Sequence, residues 1–264
     1  MRSFILCLGV IAGCGQVGLA RADGLVFQLP ADGAWALYAV KTDGNSRIGE
    51  LKQEVATTGT LTVSSVGRVT RTKQTYRWLE LKAESKSEGA YPKLVLKMLI
   101  PEKRLQRGQD PLAHSVLTFF DPKPIDEKKA PLLESFIDDG FNRIQYEIDR
   151  FRADFPKPLY DSKSLERETV VTPAGRFEDC EILTGTTGYD GPLIQNGRSV
   201  FQGKYRITIH PRAPFGVVAM SMESNGREIG EEDEEVLHVT FTRTLTLMAT
   251  GENAVSDLPA RPAK

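Results

Sequence analysis

The residues that could carry chemistry are few and scattered. Three histidines, His114, His210 and His238, fall in separate segments, and none stands at metal-ligand spacing from another. The chain has no H-E-x-x-H, C-x-x-C or P-loop pattern, and it lacks the G-x-S-x-G of a nucleophile elbow. His114 and Ser115 are adjacent, which does not place an imidazole to take a proton from the neighbouring hydroxyl. Six carboxylates crowd together at Glu228, Glu231, Glu232, Asp233, Glu234 and Glu235. They lack the alternating Asp/Asn and Gly framework of a preformed calcium loop, and they read as a solvated hairpin tip. Asp138 and Asp139 fall on the polar side of their segment. No catalytic residue, metal site or cofactor is expected.

One charged residue resists a bland explanation. Arg243 occupies the apolar parity of an alternating run, between Phe241 and Leu245. A guanidinium stranded there would be costly. Three arrangements satisfy it: a bulge that turns it to water, a buried partner, or a place at the mouth of a ligand cavity.

Around these residues lies a chain of ordinary globular make-up. It has 264 residues, 40% hydrophobic and 26% charged, with a formal net charge of -1. That composition excludes disordered, collagenous and multi-span membrane classes. The missing basic surplus excludes a nucleic-acid partner, which would need Lys and Arg to neutralise phosphates.

The N-terminus reads as an export signal. Arg2 precedes an apolar run from Phe4 to Ala12, and no further charge appears until Arg21. Gly9, Gly13, Gly15 and Gly18 dilute the run, making it too weak for a transmembrane helix. Two processing sites compete. Ala20-Arg21-Ala22 fits ordinary signal peptidase and gives a signal peptide over 1–22. Ile11-Ala12-Gly13-Cys14 resembles a bacterial lipobox, which would make Cys14 an acylated first residue. Acyl chains there would hold the protein to a membrane surface. Cys7 and Cys14 both lie in the signal region, leaving Cys180 without an internal disulfide partner, and it is expected to be a buried, inert thiol.

Period-two alternation dominates the rest. Leu237, Val239, Phe241, Leu245 and Leu247 alternate with His238, Thr240, Thr242, Thr244 and Thr246; Leu94–Ile100, Tyr205–Ile209 and Val218–Met222 behave alike. Turn chemistry at Thr42-Asp43-Gly44-Asn45, Pro173-Ala174-Gly175, Tyr189-Asp190-Gly191-Pro192 and Ser224-Asn225-Gly226 divides the chain into about eight to ten strands. One segment differs. Leu133, Ile137, Phe141, Ile144, Ile148, Phe151 and Phe155 form a single helical stripe, with Pro131 suited to its first turn and Pro156 closing it. The expected fold is therefore α+β and mainly β: a curved antiparallel sheet, an incomplete barrel, wrapped over one amphipathic helix near 131–155. Residues 23–250 form one domain, and 251–264 an aperiodic, loose tail.

The segments Thr172–Cys180 and Tyr205–Val218, the long last strand, and Gly251–Pro259 resemble exported bacterial β-proteins of unknown function related to the lipoprotein-localisation factor fold. That resemblance implies an incomplete antiparallel barrel over a helix, with acyl chains held in the hollow between them, and it carries no activity with it. On this reading the chain is a non-enzymatic protein of the periplasm or cell envelope. It binds an apolar or lipid-like ligand, or a lipoprotein, between sheet and helix. Arg243, Trp35, Trp78 and Phe141 are the candidate ligand contacts, and Cys14 the lipidation candidate. The alternative is a structural or protein-interaction module whose core is closed.

Overall fold

A computed structural model describes residues 26–71, 73–85, 93–105, 117–123, 163–164, 167–192, 198–230 and 234–258. These build strands β1 (Trp35–Ile48), β2 (Leu51–Arg71), β3 (Gln74–Ser85), β4 (Lys93–Pro101), β5 (Leu117–Lys123), β6 (Lys163–Ser164), β7 (Glu168–Thr172), β8 (Gly175–Pro192), β9 (Arg198–Ile209), β10 (Val217–Ile229) and β11 (Glu235–Gly251). All described pairings are antiparallel, in the order β5-β4-β3-β2-β1-β11-β10-β9-β8-β6, with β7 alongside β8. Two meanders, β1–β5 and β8–β11, meet where β1 pairs β11, from Trp35↔Gly251 to Arg47↔His238. Pro122 falls on β5, at one end of the strand order, where a residue without an N–H is tolerated.

The expected α+β class is corrected by this arrangement. The described residues are nearly all β, and their one helical element is the short 3-10 turn Glu102–Arg104. The stripe at 131–155 lies outside the described residues, and so does Phe141. No helix is part of the described core, which is built from strand residues and their flanking turns. The strands also run further than turn chemistry suggests. Asp43-Gly44 lies inside β1, Asn225-Gly226 inside β10, and Asp190-Gly191 inside β8. Cross-strand pairing of their neighbours outweighs the local turn preference, because each of these strands is bonded in register on both sides of the dipeptide.

Period-two patterning does what it should. Tyr38, Leu61, Val63, Leu79, Leu81, Leu96, Met98, Ile207, Met220, Leu245 and Leu247 converge on one face, each at most 4% exposed. Each such side chain contributes about 1.5–3 kcal/mol by leaving water. The Tyr38 phenol donates to the Val217 carbonyl at 3.1 Å, and burial pushes its pKa far above the usual phenol range.

Both corners that carry the sequence resemblance are present. β7 and β8 form a hairpin through Pro173-Ala174, with Thr172 opposite Gly175. Between β9 and β10, His210 N–H bonds Gly216 O at 2.8 Å, and Gly216 N–H bonds Ala213 O at 2.9 Å. The N-terminal segment clamps this corner: Phe27 N–H donates to Phe215 O at 2.8 Å and the Gln28 amide to Ala213 O at 2.6 Å. Gly216 holds φ +91°, and a Cβ there would sit 2.8 Å from Phe27 Cβ. Gly216→Ala is expected to lower stability by about 2 kcal/mol, combining left-handed strain with the displaced clamp. A urea titration measures this, and an unchanged midpoint would refute the clamp.

Cys180 sits where β8 changes partners, from β7 to β9, beside Asp179 at φ +55°. Its thiol is fully buried and donates to Phe177 O at 3.4 Å. Burial pushes its pKa up, so little thiolate exists at neutral pH. Site-resolved alkylation at Cys180 is expected to run at least about a hundredfold slower in the native chain than in urea; equal rates would mean the site opens freely.

Candidate functional site

In an antiparallel ladder, directly opposed residues share a face. On the core face Leu183, Ile207, Met220, Leu245 and Val40 form one row across five strands. The next row, toward the β1–β2 hairpin, is Gly185, Tyr205, Met222, Arg243 and Thr42. Beyond it come Gly203, Ser224, Phe241 and Gly44, and then Phe201, Gly226, Val239 and Ser46. Beyond Arg243 the face mixes hydroxyls and glycines on β1 and β10 with apolar Phe241, Val239 and Phe201 on β11 and β9.

Pairing around Arg243 is regular on both edges, and the register shifts of β11 lie elsewhere, at Leu37/Tyr38 and Glu228/Ile229. The bulge that would have turned Arg243 to water is therefore absent. Its Nε donates to Thr42 Oγ1 at 3.0 Å, and its guanidinium carbon lies 5.5 Å from the Phe241 ring centroid. The in-register neighbours, Thr42 and Met222, carry no charge. Thr42, Ser46 and Ser224 are buried, at 6%, 4% and 7% exposure. The Ser46 and Ser224 hydroxyls make no hydrogen bond, nor does Glu228 Oε1 at the end of the strip, whose carboxyl is pushed up by burial. An unsatisfied buried hydroxyl costs about 1–3 kcal/mol, so two on one surface need a reason.

Of the sequence candidates among the described residues, only Arg243 lies on this face. Trp35 and Trp78 have the opposite parity from Ala36, Tyr38, Leu79 and Leu81 and lie on the other side of the sheet. Trp35 Nε1 donates to Glu252 O at 3.2 Å, and its ring rests against Gly251, where a Cβ would come within 2.6 Å. It borders an open cleft of about 240 Å³ with Thr62, Ser64, Glu80, Lys82, residues 253–255 and Asp257. Lys97 Nζ lies 5.4 Å over the Trp78 ring and donates to Ser256 Oγ at 2.8 Å; Ser256 Oγ and Asp257 N–H in turn donate to Glu80 at 2.6 and 3.0 Å. Residues 252–258 are thereby held along β3 and β4. Phe141 and Cys14 lie outside the described residues. Among the described residues, no three His, Cys, Asp or Glu side chains gather as a metal site would require.

Thr42, Ser46 and Ser224 were missed because each stands in or beside a turn-like dipeptide. A signal was available: Lys41, Asp43, Asn45 and Arg47 keep the polar parity through Asp43-Gly44, and Glu223, Asn225 and Arg227 keep it through Asn225-Gly226.

No family model matches the chain, and no curated protein is similar to it. Among solved structures, it is similar to a Bacteroides fragilis protein described as exported with a YmcC-like fold, at 9% identity and TM-score 0.37, covering 86% of this chain and 99% of the other. It is also similar to a Parabacteroides distasonis protein described as a lipoprotein, at 11% identity and TM-score 0.39, covering 89% and 100%. Likenesses of that size say nothing about what this chain binds.

Proposed function

We propose that the chain is an exported, non-enzymatic protein of the periplasm or cell envelope that holds an apolar or lipid-like ligand, or a lipoprotein, against the core face of its sheet. The observation that carries this is Arg243, kept on the core face by regular pairing and bonded to Thr42 at the border of a continuous apolar surface. A guanidinium at the edge of that apolar surface is where the polar end of an amphipathic ligand would lie. The N-terminal run to Ala20 supports export, and acylation at Cys14 would set the protein on a membrane surface.

One observation favours the second reading, a structural or interaction module with a closed core. Tyr38, Leu79, Leu96, Met98 and Ile207 are at most 1% exposed, and both tryptophans offered as lining lie on the other face. Native mass spectrometry of protein purified from the envelope separates the two. A co-purified lipid, with or without acylation at Cys14, is the expected result. A protein of bare mass that acquires no lipid when offered it would overturn the proposal.

A further inference from the structure

We propose that the cleft beside Trp35, on the opposite face of the sheet from the core, binds one neutral hexopyranose, either as the free sugar or as a unit of a glycan. The site stands apart from the core-face reading, because none of its lining residues belongs to the core.

The sheet supplies the floor. Ser64 of β2 lies opposite Trp35 on β1 and Glu80 on β3, and Thr62 lies opposite Lys82. Residues of one face are about 6.7 Å apart along a strand and about 4.8 Å apart across the ladder, so these groups span the width of one sugar ring. Residues 253–255 and Asp257 form the wall. That wall is fixed before any ligand arrives: Glu80 accepts from Ser256 Oγ at 2.6 Å and from Asp257 N–H at 3.0 Å, and Ala254 N–H donates to Gly33 O at 2.8 Å. Asn253 holds φ +62°, a left-handed conformation that asparagine tolerates. At about 240 Å³ the cleft falls below the roughly 300–1,000 Å³ that takes drug-sized ligands, and it suits a single ring.

The ligand's chemistry follows from what the lining leaves unspent. Its charges are engaged with one another: both Glu80 oxygens accept hydrogen bonds from residues 256–257, and Asp257 pairs with Lys93. Lys82 lies 3.8 Å from Asp257 and 3.7 Å from Glu84. An ion of either sign would have to compete with these pairs. By contrast, the Thr62 and Ser64 hydroxyls and the Asn253 amide make no hydrogen bond among the described residues. They offer donors and acceptors without charge, which is what sugar hydroxyls take. Trp35 supplies the apolar half. Its Nε1 is committed to Glu252 O, so the indole presents carbon to the cleft, and Val255, 85% exposed, extends that surface at the rim. The negative π surface of an indole attracts C–H groups polarised by neighbouring oxygens, and a pyranose ring carries such groups all round.

Calorimetric titration of the full chain with glucose, galactose and mannose, with their methyl glycosides, with glucuronate and with cyclohexanol tests the assignment. At least one neutral sugar is expected to bind with a Kd of about 1 mM or tighter, and about tenfold more tightly than cyclohexanol, whose ring carries a single hydroxyl. A methyl glycoside bound as well as its free hexose assigns a glycan unit, and a clear preference for the free hexose assigns a monosaccharide. Trp35→Ala is expected to weaken the best ligand about tenfold. Thr62→Val keeps the side-chain shape and Asn253→Gly keeps the backbone conformation, and each should weaken it about threefold or more. Binding of no neutral sugar at about 10 mM overturns the proposal, as does tighter binding of glucuronate than of every neutral sugar. So does a sugar whose affinity both Thr62→Val and Asn253→Gly leave unchanged. Because the comparison of ligands needs no substitution, it decides the matter even if a variant fails to fold.

Discussion

Replacing Glu102 with alanine is expected to destabilise the protein by about 3 kcal/mol, one of the two largest losses foreseen for a single substitution. Arg77 has core parity on β3, opposite Ile100, and its side chain is only 6% exposed. Its Nε and Nη2 donate to Glu102 Oε1 at 3.2 and 2.8 Å, and its Nη1 donates to Ser65 Oγ at 3.1 Å. Glu102, on the 3-10 turn after β4, also pairs with Arg68 at 3.0 Å. Removing its carboxylate leaves a buried guanidinium with a serine and with Asp32, 3.4 Å away but half exposed and screened by water. At about 2–4 °C per kcal/mol for a chain of this size, the melting temperature should fall by roughly 6–12 °C. The double variant Arg77→Met, Glu102→Leu is expected to lose less than Glu102→Ala alone, because neither charge is then stranded. A loss under about 1 kcal/mol in the single variant would mean that Asp32 takes over the pair.

Gly44→Ala is expected to cost about 2–3 kcal/mol by prising apart the β1–β11 seam between the two meanders. Gly44 lies opposite Phe241 on β11 and Val55 on β2. A Cβ at this position would run into the Thr240 carbonyl and come within 2.7 Å of Phe241 Cβ. Backbone stands in the way, so relief requires β1 and β11 to separate where Thr42 meets Arg243. Gly226→Ala is the control: its Cβ would meet Val239 Cγ1 at 3.1 Å and Phe201 Cδ2 at an ordinary 3.7 Å, side-chain ends that can yield. Urea midpoints should fall in the order Gly44→Ala, Gly226→Ala, unaltered chain. A Gly226 variant as damaged as the Gly44 variant would argue against the seam.

The alternating runs were legible because a strand's two faces see different solvents, and selection for a dry face writes itself into every second residue. Leu237 to Leu247, Tyr205 to Ile209 and Leu96 to Ile100 all take the faces their pattern assigns. Arg243 was legible for the same reason, as a break in parity. The ends of strands were not legible. Asp-Gly and Asn-Gly prefer turns when judged alone, and only pairing on both edges of β1 and β10 keeps them extended. The tryptophans show a further limit: Trp35 and Trp78 announce apolar area, but which face they occupy depends on register with their partner strands, which for Trp35 include the distant β11.

Sequence by itself determined the alternation of dry and wet faces, the burial of the Cys180 thiol, the lack of a known catalytic or metal motif, and the anomaly at position 243. Tertiary structure alone decided that β1 joins β11, which brings Thr42 to Arg243 across a separation of 201 residues and places Ser46 and Ser224 on the same face. It also decided that Asp257 and Ser256, in a segment without periodicity, would meet Glu80 and Lys97. The reason is physical. Period and polarity are properties of neighbours in the chain, whereas pairing between distant strands is chosen by the summed fit of whole edges, which no local stretch of sequence contains.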